Sequence, residues 1–357
     1  MSNIPVRRRL VRLAVACVAT AAVAVPATAP TAVDAAPPTV TPTSAAQAPP
    51  TPLDGLRVML TNDDSARGLD PSFGTDGKGL YELRKALCAA GADVLTVAPY
   101  LQQSGAGARM TTPGFSPVPL TVQAVTPPAA YVGDCGSAPS AGAVFGACQG
   151  AGPCSSSTPS ASPADAVNIA LSRFAANYWG TGPDVVLSGV NFGQNVGTTL
   201  NHSGTVGAVV TAHEYDVPAI AFSAEVPREL AQIPNVPFAA TAAFAVRLLE
   251  ELRAGKALKP DLVLNVNHPF VTGGGPAGGP VATVTGTSSD LGLTFSGTVP
   301  ASGGTYQLTA GAPETETRQR ADTTALAADK ISVTRLDGDW SISQVGPPVN
   351  LALYRLR

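Results

Sequence analysis

From Leu53 onward the chain alternates short apolar runs with longer stretches in which apolar residues recur every three or four positions. The first run, "LRVML" from Leu56 to Leu60, is continuously apolar after Arg57, the pattern of a strand covered on both faces. In "GKGLYELRKALCAAG", Leu80, Leu83 and Leu87 fall at helical spacing and Gly91 supplies a stop signal. "ADVLTVAP" then reads as a second buried strand, which completes a β-α-β unit. The rhythm recurs. "SPADAVNIALSRFAANYWG" reads as a helix with Ser162 at its N-cap, Pro163 at the first helical position and Asp165 three residues after the cap. "PDVVLSGVN" follows as a strand, "SGTVGAVVTAHEYD" as a helix and "VPAIAFS" as a strand. "PFAATAAFAVRLLEELRAGK" and "PDLVLNVN" repeat the pair. Strands alternating with helices predict an α/β fold: a three-layer, mostly parallel Rossmann-like sheet. Thr111–Thr126 and Gly273–Gln307 break the pattern and read as hairpin extensions or loop excursions. The "GGGPAGG" run after Phe270 opens no helix, so it reads as a loop rather than a dinucleotide-binding turn.

The first part of the 357-residue chain follows a different pattern. Arg7, Arg8, Arg9 and Arg12 precede an apolar stretch from Leu13 to Val25, and small residues come after it. That is the layout of a secretory signal peptide, assigned to residues 1–36. The stretch is too short for a membrane span, which needs roughly 20 apolar residues. Residues 37–52 are rich in Pro and Ala and read as an extended linker, leaving 53–357 as the folded domain. Removing the leader takes away four arginines and one aspartate, which shifts the formal net charge from −3 to −6. A nucleic-acid duplex is therefore not an expected partner.

Four cysteines remain after the leader: Cys88, Cys135, Cys148 and Cys154. An even number in an exported chain favours disulfides. Three of them lie in the Gly/Ser/Pro-rich segment 133–162, where at least one bridge is expected. Composition does not choose among the pairings. Distant histidines and loop cysteines make a zinc site the weaker reading.

In open parallel sheets, ligands bind outside the carboxyl ends of the strands. Asn62, Asp63 and Asp64 follow the first strand, Ser104 in "QQSGAG" follows the second and Asn191 in "SGVNFGQNVG" follows the third. Adjacent carboxylates repel and call for solvent or a cation, although a polar turn would also use Asp. Two carboxylates, a hydroxyl and an amide oxygen are hard donors suited to Mg²⁺, Mn²⁺ or Ca²⁺. In "NHSGTVGAVV", Ser203, Gly204 and Thr205 open a helix, where unpaired N–H groups attract anions. A cation site and an anion site on one edge match a phosphate ester.

"TNDD", "APYLQQSG", "PADAV", "PDVVLSGVNFGQNVG" and "SGTVGAVVTAHEYDVPAIAFS", in this order, resemble the survival protein SurE family of metal-dependent nucleotide phosphatases, and "ADTTALAADKISVTRL" resembles its closing segment. The resemblance runs from about Leu56 to Leu336. It implies one divalent metal, Mg²⁺ or Mn²⁺, on Asp63, Asp64, Ser104 and Asn191. Asn62 would join Asp63 and Asp64 in catalysis, and Gly105, Ser203, Gly204 and Thr205 would line the phosphate site. The implied substrate is a small phosphomonoester, foremost a nucleoside monophosphate, and the implied assembly is a dimer or tetramer with exchanged carboxyl-terminal segments. With its leader, the chain reads as a secreted or cell-envelope member with no span after processing. A non-catalytic phosphoester-binding protein on the same fold is the alternative.

The sequence departs from the family pattern in places. Ser65 stands where glycine usually follows "NDD", an enlarged loop runs on to Gly74, and Tyr100 replaces an aspartate after Pro99. Segment 133–162 reads as an insertion. Of the three histidines, His202 adjoins the phosphate loop and is a candidate proton donor, whereas His213 and His268 read as structural.

Overall fold

A computed structural model of the protein describes residues 51–68, 77–296, 301–338 and 346–355. The leader, most of the linker and the loop approaching Gly74 lie outside the described residues. In chain order the elements are β1 (Arg57–Thr61), α1 (Lys78–Ala89), β2 (Asp93–Pro99), β3 (Leu120–Ala124), β4 (Val144–Gln149), α2 (Pro163–Ile169) and α3 (Ala176–Trp179). Then come β5 (Val185–Phe192), α4 (Gly204–His213), β6 (Ala219–Ala224), α5 (Phe238–Ala254) and β7 (Val263–His268). The last part holds β8 (Gly278–Thr283), β9 (Gly292–Ser296), β10 (Gln307–Gly311), α6 (Asp322–Ala327) and β11 (Lys330–Arg335).

Among the described residues, nine strands form one sheet in the order β3-β4-β2-β1-β5-β6-β7-β11-β8, and β9 and β10 form a separate antiparallel hairpin. The run from β4 to β7 is parallel throughout. Only β3 against β4 and β11 against β7 are antiparallel. The mostly parallel α/β sheet and the hairpin extension are as the apolar pattern predicts.

The continuous apolar runs follow from having a core on each side. Val58 and Leu60 pack with Leu80, Leu83 and Leu87 of α1 and Phe238 and Leu249 of α5. Met59, between them, joins Val167 of α2 and Val209 and Ala212 of α4 on the other face. Successive strand residues point to opposite faces, so both classes must be apolar. Each buried leucine contributes roughly 1.5–3 kcal/mol.

Two expectations change in detail. The helix foreseen after Ser162 starts as predicted: Ser162 Oγ accepts from Asp165 N at 3.0 Å, and an Asp165 carboxylate oxygen accepts from Ser162 N at 3.0 Å. It does not run straight. A π turn over Ala170–Phe174 separates α2 from α3, and there the Ser172 hydroxyl donates to the Asn168 carbonyl, a back-bond that bends helices. Segment 133–162, read as an insertion held by a bridge, also contributes β4, which lies between β2 and β3. Gly146 hides that strand in the sequence. A Cβ there would lie 2.7 Å from the Tyr100 ring, so the glycine makes room for the aromatic residue.

Both disulfides involve this segment. Cys148–Cys154 closes a short loop with Cα atoms 5.7 Å apart, and Cys88–Cys135 ties the segment to α1 with Cα atoms 4.9 Å apart. All four cysteines that follow the leader segment are thus paired in bridges, leaving none of these thiols for zinc. Among the described residues, no helix is long and apolar enough to cross a membrane.

Candidate active site

Where β1 reaches the sheet edge, the chain turns into Asn62-Asp63-Asp64, and all three side chains are buried. Burial of two carboxylates is costly unless donors meet them. Asn62 Nδ2 donates to Asp64 Oδ2 at 3.0 Å, and Phe192 N at the end of β5 donates to the same oxygen at 2.8 Å. Asn62 Oδ1 accepts from Asp63 N at 2.8 Å, so the asparagine braces the pair.

The first turn of α4 meets Asp63. Thr205 Oγ1 donates to Asp63 Oδ1 at 2.8 Å, and Thr205 N donates to Oδ2 at 3.1 Å. Ser203 caps the helix, its Oγ accepting from Val206 N at 3.1 Å. Gly204 must be glycine for contact reasons: a Cβ there would fall 2.8 Å from Asp63 Oδ2. Burial pushes the Asp63 carboxyl above its ordinary value, while the Thr205 hydroxyl and the N–H groups of Thr205 and Gly204 pull it back. The helix N-terminus that reads as an anion site in the sequence is therefore already engaged by the side chain of Asp63.

Asn191 completes this edge from β5. Its Nδ2 donates to Gly193 O at 2.7 Å, but its buried Oδ1 has no hydrogen-bond partner among the described residues. Ser104 sits on the exposed loop after β2. That loop is stitched to the site by Gln103 N donating to Asp63 O at 2.7 Å and Gly107 N donating to His202 O at 3.0 Å. Asp63, Ser104, Gly105, Asn191, His202 and Ser203 line one cleft of about 1150 Å³. Asn62, Asp64, Gly204 and Thr205 are not part of this lining, and of these Asn62 and Thr205 hold Asp63 through the hydrogen bonds just described. His213 and His268 lie elsewhere, with Nδ1 of each 3.0 Å from a carbonyl, of Pro260 and Pro269 respectively.

The departure at Ser65 carries a structural cost. Its φ of 106° lies in the left-handed region that favours glycine. Its hydroxyl offsets part of that strain, donating to Tyr100 O at 2.9 Å and accepting from Arg67 N at 3.1 Å. Tyr100, the second departure, carries the Arg67 guanidinium 5.5 Å above its ring.

One cleft residue went unnoticed in the sequence. Glu225 directly follows β6, the same post-strand position that drew attention to Asp63, but it sits outside every motif. Its Oε2 accepts from Phe270 N at 2.8 Å. Burial, with Asp290 and Asp329 nearby, pushes its carboxyl up to about 7. The folded state therefore keeps a proton that the unfolded chain releases near its ordinary value, so this group's contribution to stability falls as pH rises from 4.5 to about 7. Glu225→Gln retains the acceptor and cannot ionise. Its unfolding free energy should match wild type at pH 4.5 and exceed it at pH 8 by on the order of 2 kcal/mol. Urea titrations at the two pH values check this, and an equal difference at both would sink it.

An open α/β sheet with a braced carboxylate, an amide oxygen and a hydroxyl gathered around one cleft defines the class: an α/β protein whose polar site lies at the carboxyl ends of its parallel strands. Sequence comparison narrows the class. Residues 58–302 match the family described as "Survival protein SurE". The 5'-nucleotidase SurE of Desulfovibrio desulfuricans is 33% identical over 214 residues, spanning 60% of this chain and 66% of that protein. The 5'-nucleotidase SurE of Geobacter metallireducens is 28% identical over 287 residues, 80% and 92% of the two chains. The crystal structure of the SurE protein from Aquifex aeolicus superposes with a TM-score of 0.60 at 24% identity, covering 83% of this chain and 99% of that one, and shares the fold. The chain belongs to the survival protein SurE family. The expectation of a phosphoric monoester hydrolase is borne out at the level of these relatives.

Proposed function

We propose that the protein is a divalent-metal-dependent phosphomonoesterase acting on nucleoside monophosphates. The observation that carries this reading is the buried, unpartnered Oδ1 of Asn191 on the cleft shared with Asp63 and Ser104. A buried acceptor left without a donor costs about 1–3 kcal/mol. It fits a cation, which needs oxygen donors and offers no hydrogen-bond competition. Asp63, Ser104 and Asn191 would hold Mg²⁺ or Mn²⁺, with Asp64 as the further carboxylate beside them. When bound, the metal supplies positive charge against the phosphate oxygens.

The chain's own residues do the rest. Thr205 and the first turn of α4 fix the Asp63 carboxylate, so its orientation costs nothing at the moment of reaction. Asn62 holds Asp64 and the backbone of Asp63 in register. Gly105 lies on an exposed loop that lines the cleft, and its backbone N–H would serve an equatorial phosphate oxygen. Ser203 and His202 line the same cleft, His202 as the candidate donor to the leaving alkoxide. The names of the relatives support nucleotides as substrates. The leader supports export, and the family resemblance supports a homo-oligomer.

The test is phosphate release from a panel of nucleotides and simple phosphomonoesters, with Mg²⁺, Mn²⁺, Ca²⁺ or chelator. Metal-dependent turnover that is greatest on nucleoside monophosphates is expected. Binding of nucleotides without release under any metal would favour a non-catalytic phosphoester-binding protein.

A further inference from the structure

The cleft is much larger than a phosphate group, and its far part is chemically different from the end that holds Asp63. The extra wall comes from the β9–β10 hairpin. In the pairing of this hairpin Leu293 lies opposite Ala310 and Phe295 opposite Leu308, so these side chains share one face with Leu291. Leu291, Leu293 and Ala310 line the cleft. The other face carries Thr294 and Thr309, whose hydroxyls are 3.0 Å apart. The hairpin is therefore two-faced, and its apolar face borders the site.

The sheet edge supplies matching surface. Phe192 after Asn191, Val226 after Glu225 and Phe270 after β7 line the same cleft. Leu291 and Leu293 are 48% and 59% exposed, a costly display unless something apolar covers them.

The arm is also fastened in place. The Glu316 carboxylate accepts from Thr287 N at 2.8 Å and Ser288 N at 3.1 Å on one side of the hairpin base and from Arg318 N at 2.8 Å on the other. Gln194, three residues after Asn191, donates through Nε2 to Asp290 at the foot of the arm and accepts from Val226 N at 3.2 Å. The phosphate end and the arm thus share one brace. Asp290 and Glu314 both line the cleft there, so a second anionic group would be repelled.

We propose that the hairpin arm forms a leaving-group subsite, in which Leu291 and Leu293 together with Phe192 and Phe270 hold a flat, uncharged, largely apolar group such as a nucleobase. This rests on the phosphomonoesterase reading and assigns selectivity within it to the arm. Aromatic and aliphatic walls cover a base through its faces without reading its edge. The subsite therefore distinguishes nucleosides from small hydrophilic alcohols more than one base from another.

The experiment measures kcat/KM of the full chain with Mg²⁺ or Mn²⁺ on adenosine 5'-monophosphate and on glycerol 2-phosphate. Leu293→Asn and Leu291→Asn should each lower the ratio of the two values about tenfold, the scale of losing one apolar contact group in a pocket. Thr294→Asn, on the opposite face of the same strand, should leave the ratio unchanged. Free adenosine should inhibit glycerol 2-phosphate hydrolysis competitively in the wild type, with a Ki raised about tenfold in Leu293→Asn. An unchanged ratio in both leucine variants, or an equal fall in Thr294→Asn, overturns the subsite while leaving the phosphatase reading intact. A wild type that hydrolyses neither ester overturns both.

Discussion

Asp63→Asn should abolish nearly all phosphatase activity, by a factor of 10² to 10⁴, while the apo protein keeps its fold. The activity loss follows from charge: a hard cation is held by ligand charge as much as by geometry, and the substitution removes one unit of it. The fold should survive because the surroundings of Asp63 can re-pair. Thr205 N, which donates to Oδ2 at 3.1 Å, would find the new amide oxygen. The Thr205 hydroxyl, which donates to Oδ1 at 2.8 Å, can rotate to accept from the new amide nitrogen. Burial opposes the charged form of Asp63, so neutralising it removes a desolvation cost while the bonds to the helix end only weaken. The apo unfolding free energy should change by no more than about 1 kcal/mol. Metal-dependent turnover and apo melting of this one variant separate the two effects. Activity near wild type with unaltered metal response would mean that "NDD" is a polar turn and nothing more.

The largest effect on stability is expected at Arg84. This side chain is only 2% exposed, and its guanidinium donates to Tyr131 O at 3.1 Å, to Asp134 O at 2.8 Å and to Gly142 O. Asp134 also provides a carboxylate at 3.7 Å. Burial pulls the Arg84 pKa down, yet three carbonyls from one loop converge on it. Cys88 lies four residues later on α1, hence on the same helix face, and its disulfide fastens Cys135 of the same loop. Arg84→Ala would leave those carbonyls without their donor and open a cavity, for an expected loss of about 3–5 kcal/mol. Arg84→Lys should recover only part of this, because an ammonium cannot match a fork of carbonyls. Breaking Cys88–Cys135 should cost about 2–4 kcal/mol, and the two changes should not add, since both release the same loop. Urea unfolding of the single and double variants measures each quantity. A loss below 1 kcal/mol for Arg84→Ala would show that the loop is held by the bridge alone.

The sequence made β1, β2, β5, β6 and β7 legible because each is apolar on both faces, and it drew attention to Asp63, Asp64 and Asn191 because polar residues interrupt those runs at one end. The start of α2 was legible from Ser162, Pro163 and Asp165, whose chemistry is local. What stayed hidden depends on partners far away in the chain. Cys88 gave no sign that it would bridge Cys135, because pairing is set by where α1 passes the loop. β4 was obscured by Gly146, whose missing side chain is needed by Tyr100. The commitment of α4's first turn to Asp63 could not be read from "HSGTVG", since a helix end attracts any anion and only the fold decides which arrives first. The hairpin's two faces were present as alternation in "LGLTFS", but nothing local showed that one of them borders the cleft.

The position of β11 has a consequence for how the molecule is made. It lies between β7 and β8 although both precede it in the chain, so a nascent polypeptide exposes an unpaired β7 edge until β11 has been synthesised. Over that interval β8 has no neighbour to join, and the most apolar part of the sheet ends in an open ladder of donors and acceptors.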